Sequence, residues 1–298
     1  MTLNFHLMRL FAAVAREKSF SKAAETLHVS QPAVSKGVRE FEAQIGAPLF
    51  ERRSGSLSLT EAGELLARYA DGLFASERVV EQELATLRGL RSGSLSVGAS
   101  TTIATYLLPS ILGAFHQAYP GVKLKMTSAN TKAIAKLRLE GDIDVALVEG
   151  PVSEPRLRSI PWRRDHMVLI VSPSHPLALL PEPIDISALS NQVWILREPG
   201  SGTLEVVLGV LKKYGIEPRD TLELGSSEAI KQAVAAKLGI AMVSAAVASD
   251  QIALGKLKAT SVKDLAVHRL FTKLVVKGGR PSAAARALER YLDSAASL

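Results

Sequence analysis

Apolar positions recur at helical spacing through residues 1–90, then give way after Gly93 to short apolar runs alternating with amphipathic stretches. Residues 19–42 read as two short helices joined by a tight turn. Ser21 is the expected cap of the first, with Ala23, Ala24 and Leu27 on its inner face. His28 and Val29 make the turn, and Val29 is expected to point into the angle between the helices. Ser30 is the expected cap of the second helix, which Gln31 and Pro32 open. Proline costs nothing there because that N–H has no intrahelical partner. Ala33, Val34, Val38 and Phe41 supply its inner face, and Gln31, Ser35, Lys36 and Arg39 lie opposite. This is the build of a helix-turn-helix whose second helix fits a DNA major groove. Downstream, Leu49 and Phe50 and the stretch 57–59 bracket a turn that carries Arg52 and Arg53, the pattern of a β-hairpin wing. Arginines on such a tip suit phosphates or a minor groove, and side chains on the second helix suit base edges.

Residues 60–90 contain no proline and read as one long helix, capped by Thr60 with Glu61 in its first turn. Leu66, Leu73, Val80 and Leu87 recur every seven residues, with Ala70, Glu77 and Leu84 at the complementary positions, a stripe that suits a two-helix seam. A twofold pair of recognition helices would read two half-sites. Residues 88–93 end the helix with a hinge. The order thereafter is strand 94–98, helix to about 118, strand 122–128, helix 131–140 and strand 144–148, which implies a parallel sheet with right-handed crossovers. A second such unit begins at Met167, with strands at 193–196, 221–225 and 240–243. Leu270–Val276 and a helix after Pro281 return to the first unit.

The 298 residues are 47% hydrophobic and 22% charged, as expected of an ordinary folded protein. No apolar run is long enough to span a membrane, and residues 1–6 lack a signal-peptide start, so a cytoplasmic protein without membrane association is expected. The absence of cysteine excludes disulfides, thiolate metal sites and cysteine nucleophiles, and six scattered histidines argue against any metal site. No phosphate loop, nucleophile elbow or complete dinucleotide fingerprint is present, so no enzyme and no cofactor is expected. The net charge of +7 does not mark a DNA surface. Residues 1–65 carry eight basic against seven acidic side chains, whereas 256–290 hold nine Lys or Arg against Asp264 and Glu289. That distal surplus reads as a solvated surface. A contact with polymerase or flanking DNA, or steering of an anion, stays open.

The order Phe11, Ala15, Ser19, Phe20, Ala23, Ala24, Leu27, Ser30, Gln31, Pro32, Ala33, Val34, Ser35, Glu42, Gly46, Leu49, Phe50, Glu51, Arg52, Leu59, Thr60, Glu61, Ala62, Gly63 resembles the DNA-binding domain of LysR-type transcriptional regulators. The resemblance implies an N-terminal all-α winged helix-turn-helix (residues 1–60) and a linker and dimerisation helix (61–90). It also implies an α/β two-lobed effector-binding domain like periplasmic binding proteins (91–298; lobe I 91–161 and 268–298, lobe II 162–267). Ser30, Gln31, Pro32, Ser35, Lys36, Arg39, Arg52 and Arg53 become the expected DNA contacts. Lys36 stands where arginine is frequent in the family, which favours a phosphate or single-point contact. The partners implied are double-stranded promoter DNA, a second copy in a homodimer or homotetramer, and RNA polymerase.

For the cleft, Ser100, Thr101 and Thr102 lie at one strand-to-helix turn, Ser201, Gly202 and Thr203 at another, and Ser226 at a third. Free N–H groups at helix starts suit an inorganic oxyanion or a carboxylate. Asn130, Thr131 and Glu149 are second candidates, and Lys132, Arg197 and Lys231 are cations that could turn inward. That these residues simply cap their helices also stays open. Residues 194–203, 223–234 and 238–240 are similar to the LysR subgroup that includes sulfur-assimilation regulators, which implies a sulfite-like effector. Leu204 stands where that subgroup commonly has arginine. A solute-binding protein or an α/β enzyme using the same cleft is the alternative reading.

Overall fold

The computed structural model describes residues 3–53, 56–86 and 93–296, and the chain divides after Arg78 into two compact units. In the first, α1 (Phe5–Glu17), α2 (Phe20–Leu27) and α3 (Gln31–Ile45) precede a hairpin of β1 (Phe50–Arg53) and β2 (Ser56–Leu59), and α4 (Glu61–Thr86) follows. Ser19, not Ser21, caps α2: it is the last extended residue, and its side chain accepts the N–H of Lys22. Ser30 occupies the cap position of α3 but makes no side-chain cap bond. His28 closes α2 in the left-handed conformation. Val29 does not fill the interhelical angle, since it is 43% exposed. Ala33 is also exposed, and the inner face of α3 is Val34, Gly37, Val38 and Phe41. Gly37 packs closely on α1 there: a Cβ would meet the end of the Leu10 side chain, which would have to move.

Met8, Phe11, Phe41, Leu49, Ala70 and Phe74 form the core beneath this face. Each large side chain so buried is worth about 1.5–3 kcal/mol. Ala70 and Phe74 come from α4, and Leu66 and Leu73 are half-buried against the same core. Glu77 pairs with Arg9 of α1, with Arg9 Nη2 2.7 Å from Oε1. The early part of the expected seam is therefore internal to the unit, because Phe74 and Ala70 have a ready apolar partner there. Among the described residues, the large apolar side chains that α4 leaves outside are Leu65, Tyr69 and Val80, the last two 70% and 57% exposed. The side chain of Leu84 and all of Leu87 lie outside the described residues.

The second unit begins with β3 (Gly93–Ser100), α5 (Thr101–Tyr106), α6 (Leu108–Ala118), β4 (Val122–Ala129), α7 (Thr131–Glu140) and β5 (Val145–Glu149). β3 lies parallel to both β4 and β5. The single helix expected up to residue 118 is two: α6 opens at Leu108 with Pro109, which supplies no N–H, in its first turn. β6 (Leu157–Val171) then starts ten residues before the expected Met167 and runs antiparallel to β11 (Val267–Val276). β11 also pairs with β5 in the first lobe, and β6 with β9 (Ala241–Ser244) and β10 (Lys258–Thr260) in the second. These two long strands thus run through both lobes. β7 (Val193–Arg197) pairs in parallel with β8 (Asp220–Leu224). Backbone bonds between Ile195 and Ile240 and between Ile240 and Val193 join β7 to the end of β9.

α8 (Gly202–Tyr214), α9 (Ser227–Ala235) and α10 (Ala245–Ala253) belong to the second lobe, and α11 (Ala283–Ala296) returns to the first. α10 and β10 were not expected from the sequence pattern. Buried apolar clusters hold the lobes, among them Leu95, Val97, Phe115, Leu288 and Leu292 in the first, and Leu169, Trp194, Leu211, Ile240 and Met242 in the second.

Candidate functional site

On the first unit, α3 and the hairpin enclose an open groove of about 690 Å³ lined by Phe20, Gln31, Pro32, Ser35, Val38, Arg39, Glu42, Phe50, Glu51 and Leu57. The floor is apolar and the rim polar. Gln31, Ser35 and Arg39 stand one turn apart on the exposed side. Gln31 Nε2 donates to Ser35 Oγ at 2.9 Å, and Arg39 Nε donates to the Ser35 carbonyl at 3.2 Å. Lys36 pairs loosely with Glu40 at 3.8 Å in full solvent, which leaves it available. Glu42 sets the hairpin, its Oε1 accepting the N–H groups of Leu49 at 2.8 Å and Phe50 at 3.3 Å. The backbone of Arg52 and Arg53 lies in β1, and their side chains lie outside the described residues. Ser30 and Pro32 are exposed at the start of the same helix.

The second site lies where the lobes meet. Glu149 ends β5 and is 1% exposed, and Arg269 of β11 (6%) and Asp165 of β6 (8%) are also buried. Arg269 and Asp165 are cross-strand neighbours. Arg269 Nε donates to Asp165 Oδ2 at 2.6 Å, and Ser244 Oγ donates to Asp165 Oδ1 at 2.7 Å. Arg269 Nη1 donates to Thr203 Oγ1 at 2.7 Å, which in turn donates to Glu149 Oε1 at 3.0 Å. Thr102 Oγ1 reaches the same carboxylate oxygen from the first lobe at 3.5 Å. Arg269 Nη2 stands 2.9 Å from Glu149 Oε2, yet neither atom has a partner in hydrogen-bonding geometry. The buried hydroxyls of Ser100 and Ser201 likewise have none. A burial of this kind leaves donors that a ligand can satisfy.

Two further ties flank this centre. Arg197 is buried at the end of β7. It binds Glu198, donates through Nη1 to Ser227 Oγ at 3.2 Å, and reaches Thr101 Oγ1 of the first lobe through Nη2 at 3.1 Å. Tyr106 of α5 donates to Glu228 Oε2 at 2.7 Å and accepts from Lys231 Nζ at 3.3 Å. Lys231 also binds Asp250 at 3.1 Å. Burial works against the Lys231 ammonium, but hydrogen bonds to Glu228, Asp250 and Tyr106 outweigh it and raise its pKa above the lysine range. Burial likewise opposes ionisation of Glu228, but its bonds from Lys231, Tyr106 and Gln232 hold it below the usual carboxylate range. Lys231 holds Asp250 low as well. Burial and the bond to Glu228 push the Tyr106 phenol up.

The expected cleft residues fall into separate roles. Ser100, Thr102, Glu149, Ser201 and Thr203 gather at the lobe junction. Thr131 Oγ1 donates to the Glu149 carbonyl at 2.7 Å and so holds the end of β5. Gly202 is a point of backbone approach, since a Cβ there would overlap the Glu149 carbonyl. Asn130 and Ser226 use their side chains to cap α7 and α9. Lys132 has an exposed side chain, although its N–H bonds the Gly200 carbonyl across the lobes at 3.2 Å.

Arg269 and Asp165 were missed, and so was Tyr106. Arg269 had been counted in a basic stretch read as solvated surface. Its position midway between Val267 and Phe271, on the inward parity of an alternating strand, is the signal that marks it as internal. Elsewhere in that stretch Lys258 pairs with Glu182 and Lys273 with Asp293.

A DNA-reading helix-turn-helix unit and a two-lobed ligand-binding unit in one chain define a ligand-responsive transcriptional regulator. Residues 5–64 match the family model "Bacterial regulatory helix-turn-helix protein, lysR family", and residues 88–297 match "LysR substrate binding domain". The regulator CfxR of Cupriavidus necator is 33% identical over 290 residues, 97% of this chain and 91% of its own length. The RuBisCO operon transcriptional regulator of Acidithiobacillus ferrooxidans is also 33% identical over 290 residues, 97% of this chain and 93% of its own. The Synechocystis PCC6803 CcmR regulatory domain, solved in complex with 2-PG, is 30% identical, covers 69% of this chain and 98% of its own, and superposes with a TM-score of 0.64. The chain belongs to the LysR family of transcriptional regulators. No helix among the described residues is long and apolar enough to cross a membrane.

Proposed function

We propose that the chain reads promoter DNA through Gln31, Ser35, Lys36 and Arg39, with Ser30 and Pro32 at the helix start and Arg52 and Arg53 on the wing. Its response is to a small anion held at the lobe junction. The working division is the one expected from the sequence: DNA-binding residues 1–60, linker 61–90 and effector-binding residues 91–298. The observation that carries the effector reading is the pair of buried, partnerless hydroxyls of Ser100 and Ser201, one from each lobe, at the starts of the two helices whose Thr102 and Thr203 reach Glu149. The 2-PG bound by the CcmR domain supports a small-molecule effector. The relative described as a RuBisCO operon regulator supports an operon of that kind as target. The sulfur-assimilation subgroup has no support among the relatives named above, so a sulfite-like effector enters only as one anion to be screened. Pairing of two chains is supported by the exposed Leu65, Tyr69 and Val80 of α4, and polymerase contact is a downstream consequence of promoter binding.

Thermal unfolding of the full chain with 2-PG, phosphate, sulfate, sulfite and carboxylates tests the effector. A ligand at a hundred times its Kd adds about 2.7 kcal/mol of stability. A flat series across all anions discards the reading. Operator footprints test the other half: Arg39→Ala and Gln31→Ala weaken DNA binding and leave the thermal response intact, whereas Thr102→Val does the reverse.

A further inference from the structure

Each buried cation described at the lobe junction already faces a carboxylate: Arg197 faces Glu198, Lys231 faces Glu228 and Asp250, and Arg269 faces Asp165 and Glu149. An anion entering this cleft therefore finds no guanidinium waiting for it. Arg269 is the exception in kind, since one buried guanidinium serves two buried carboxylates. These two are held differently. Asp165 has both oxygens hydrogen-bonded, to Arg269 Nε and Ser244 Oγ, and sits in the strand pair itself. Glu149 is held through Oε1 alone, by the hydroxyls of Thr203 and Thr102, while its Oε2 stands at ion-pair distance from Arg269 Nη2 without a hydrogen bond. Ser100, Ser201 and Arg269 each keep a buried polar atom without a partner, and the Glu149 carboxylate is the acceptor that Thr102, Thr203 and Arg269 face.

We infer that Glu149 is the cleft's own counter-ion, a carboxylate standing on Arg269 where an effector's carboxylate or phosphate would bind and which that effector must displace. The inference rests on the effector reading of the cleft given above. Its physical basis is a surplus of negative charge: Asp165 alone already matches the buried Arg269 guanidinium, so the second buried carboxylate is the costly one to keep and the one an incoming anion can replace. The arrangement also links binding to lobe geometry. Glu149 Oε1 accepts from Thr102 in one lobe and Thr203 in the other, so moving this carboxylate releases a tie across the cleft. Binding and lobe rearrangement become one event, with the two states separated by differential affinity for the anion.

Calorimetric titration of the full-length protein with inorganic phosphate, at fixed ionic strength, tests this. Glu149→Gln keeps the oxygen that Thr203 bonds and removes the charge. The expected result is binding about tenfold tighter than wild type or more, the scale of one like-charge repulsion at close range partly screened by protein. Glu149→Asp, which withdraws the carboxylate from Nη2, gives a smaller gain and serves if the glutamine variant does not fold. Arg269→Gln abolishes phosphate binding in either background. Wild type binding phosphate as tightly as both variants, or more tightly, overturns the counter-ion and leaves the effector cleft standing. Phosphate ignored by wild type and variants alike overturns both.

Discussion

The two candidate surfaces solve opposite problems. The groove along α3 is open, and Gln31 and Arg39 on its rim bond Ser35, one turn away. It is kept available for a large, hydrated partner. The lobe junction is buried, and its central cation, Arg269, is bonded to Asp165 across more than a hundred positions. A site for DNA need not be desolvated before the duplex arrives, because phosphate contacts work in a wet interface. A site for a small anion must bury charge beforehand, and it does so with internal partners. The contrast teaches that exposed polar side chains mark the first kind of site, and over-supplied buried ones the second.

The comparison breaks most decisively at Arg269. Arg269→Met leaves Asp165 and Glu149 facing each other without a cation, and a loss of about 3–5 kcal/mol in urea unfolding of the full chain is expected. A loss below about 1 kcal/mol would show that the junction tolerates an unpaired carboxylate and is not organised by charge. Gly202→Ala should come next, because the added methyl overlaps the Glu149 carbonyl and the lobes must part; overpacking of this kind costs roughly 1–3 kcal/mol. The counterpart on the open surface is Arg39→Ala, expected to cost about 1–3 kcal/mol in operator affinity and almost nothing in stability. A stability loss as large as that of Gly202→Ala would place Arg39 among structural residues.

The smallest effect concerns pH. Glu228 and Asp250 lie below their ordinary values, so their contribution is present above about pH 4 and is lost as pH falls through the lowered values. Lys231 and Tyr106 lie above theirs, so their contribution is present at neutral pH and fades as pH climbs past about 10. Denaturation midpoints across pH should show Tyr106→Phe with a shallower alkaline decline than wild type. Parallel curves would mean that the Tyr106 hydroxyl carries no part of the alkaline loss.

The recognition helix was legible in advance because its logic is local. Pro32 at a helix start, Ser35 and Arg39 one turn apart, and Val34, Val38 and Phe41 on the inner face all follow from a period of 3.6 residues. The parallel order of β3, β4 and β5 followed likewise from alternating strand and helix patterns. Where the pattern erred, a tertiary contact explains it. Leu66 and Leu73 keep a seven-residue spacing, but Phe74 and Ala70 found the core of their own unit first. Ser100, Thr102, Ser201 and Thr203 were visible as residues at strand-to-helix turns, and nothing in their spacing showed that Thr102 and Thr203 meet at one carboxylate.

By itself, then, the chain determined its elements, its division into a helical unit and an α/β unit, and the polar face of α3, since each depends on residues within a turn or a strand of one another. Only the tertiary structure decided that Arg269 is internal, that β6 and β11 bring it beside Asp165, and that Glu149 of the neighbouring β5 meets both Arg269 and Thr203 of the other lobe. Those pairings depend on strand register and on chain returning from more than a hundred residues away, and no local periodicity encodes such a meeting.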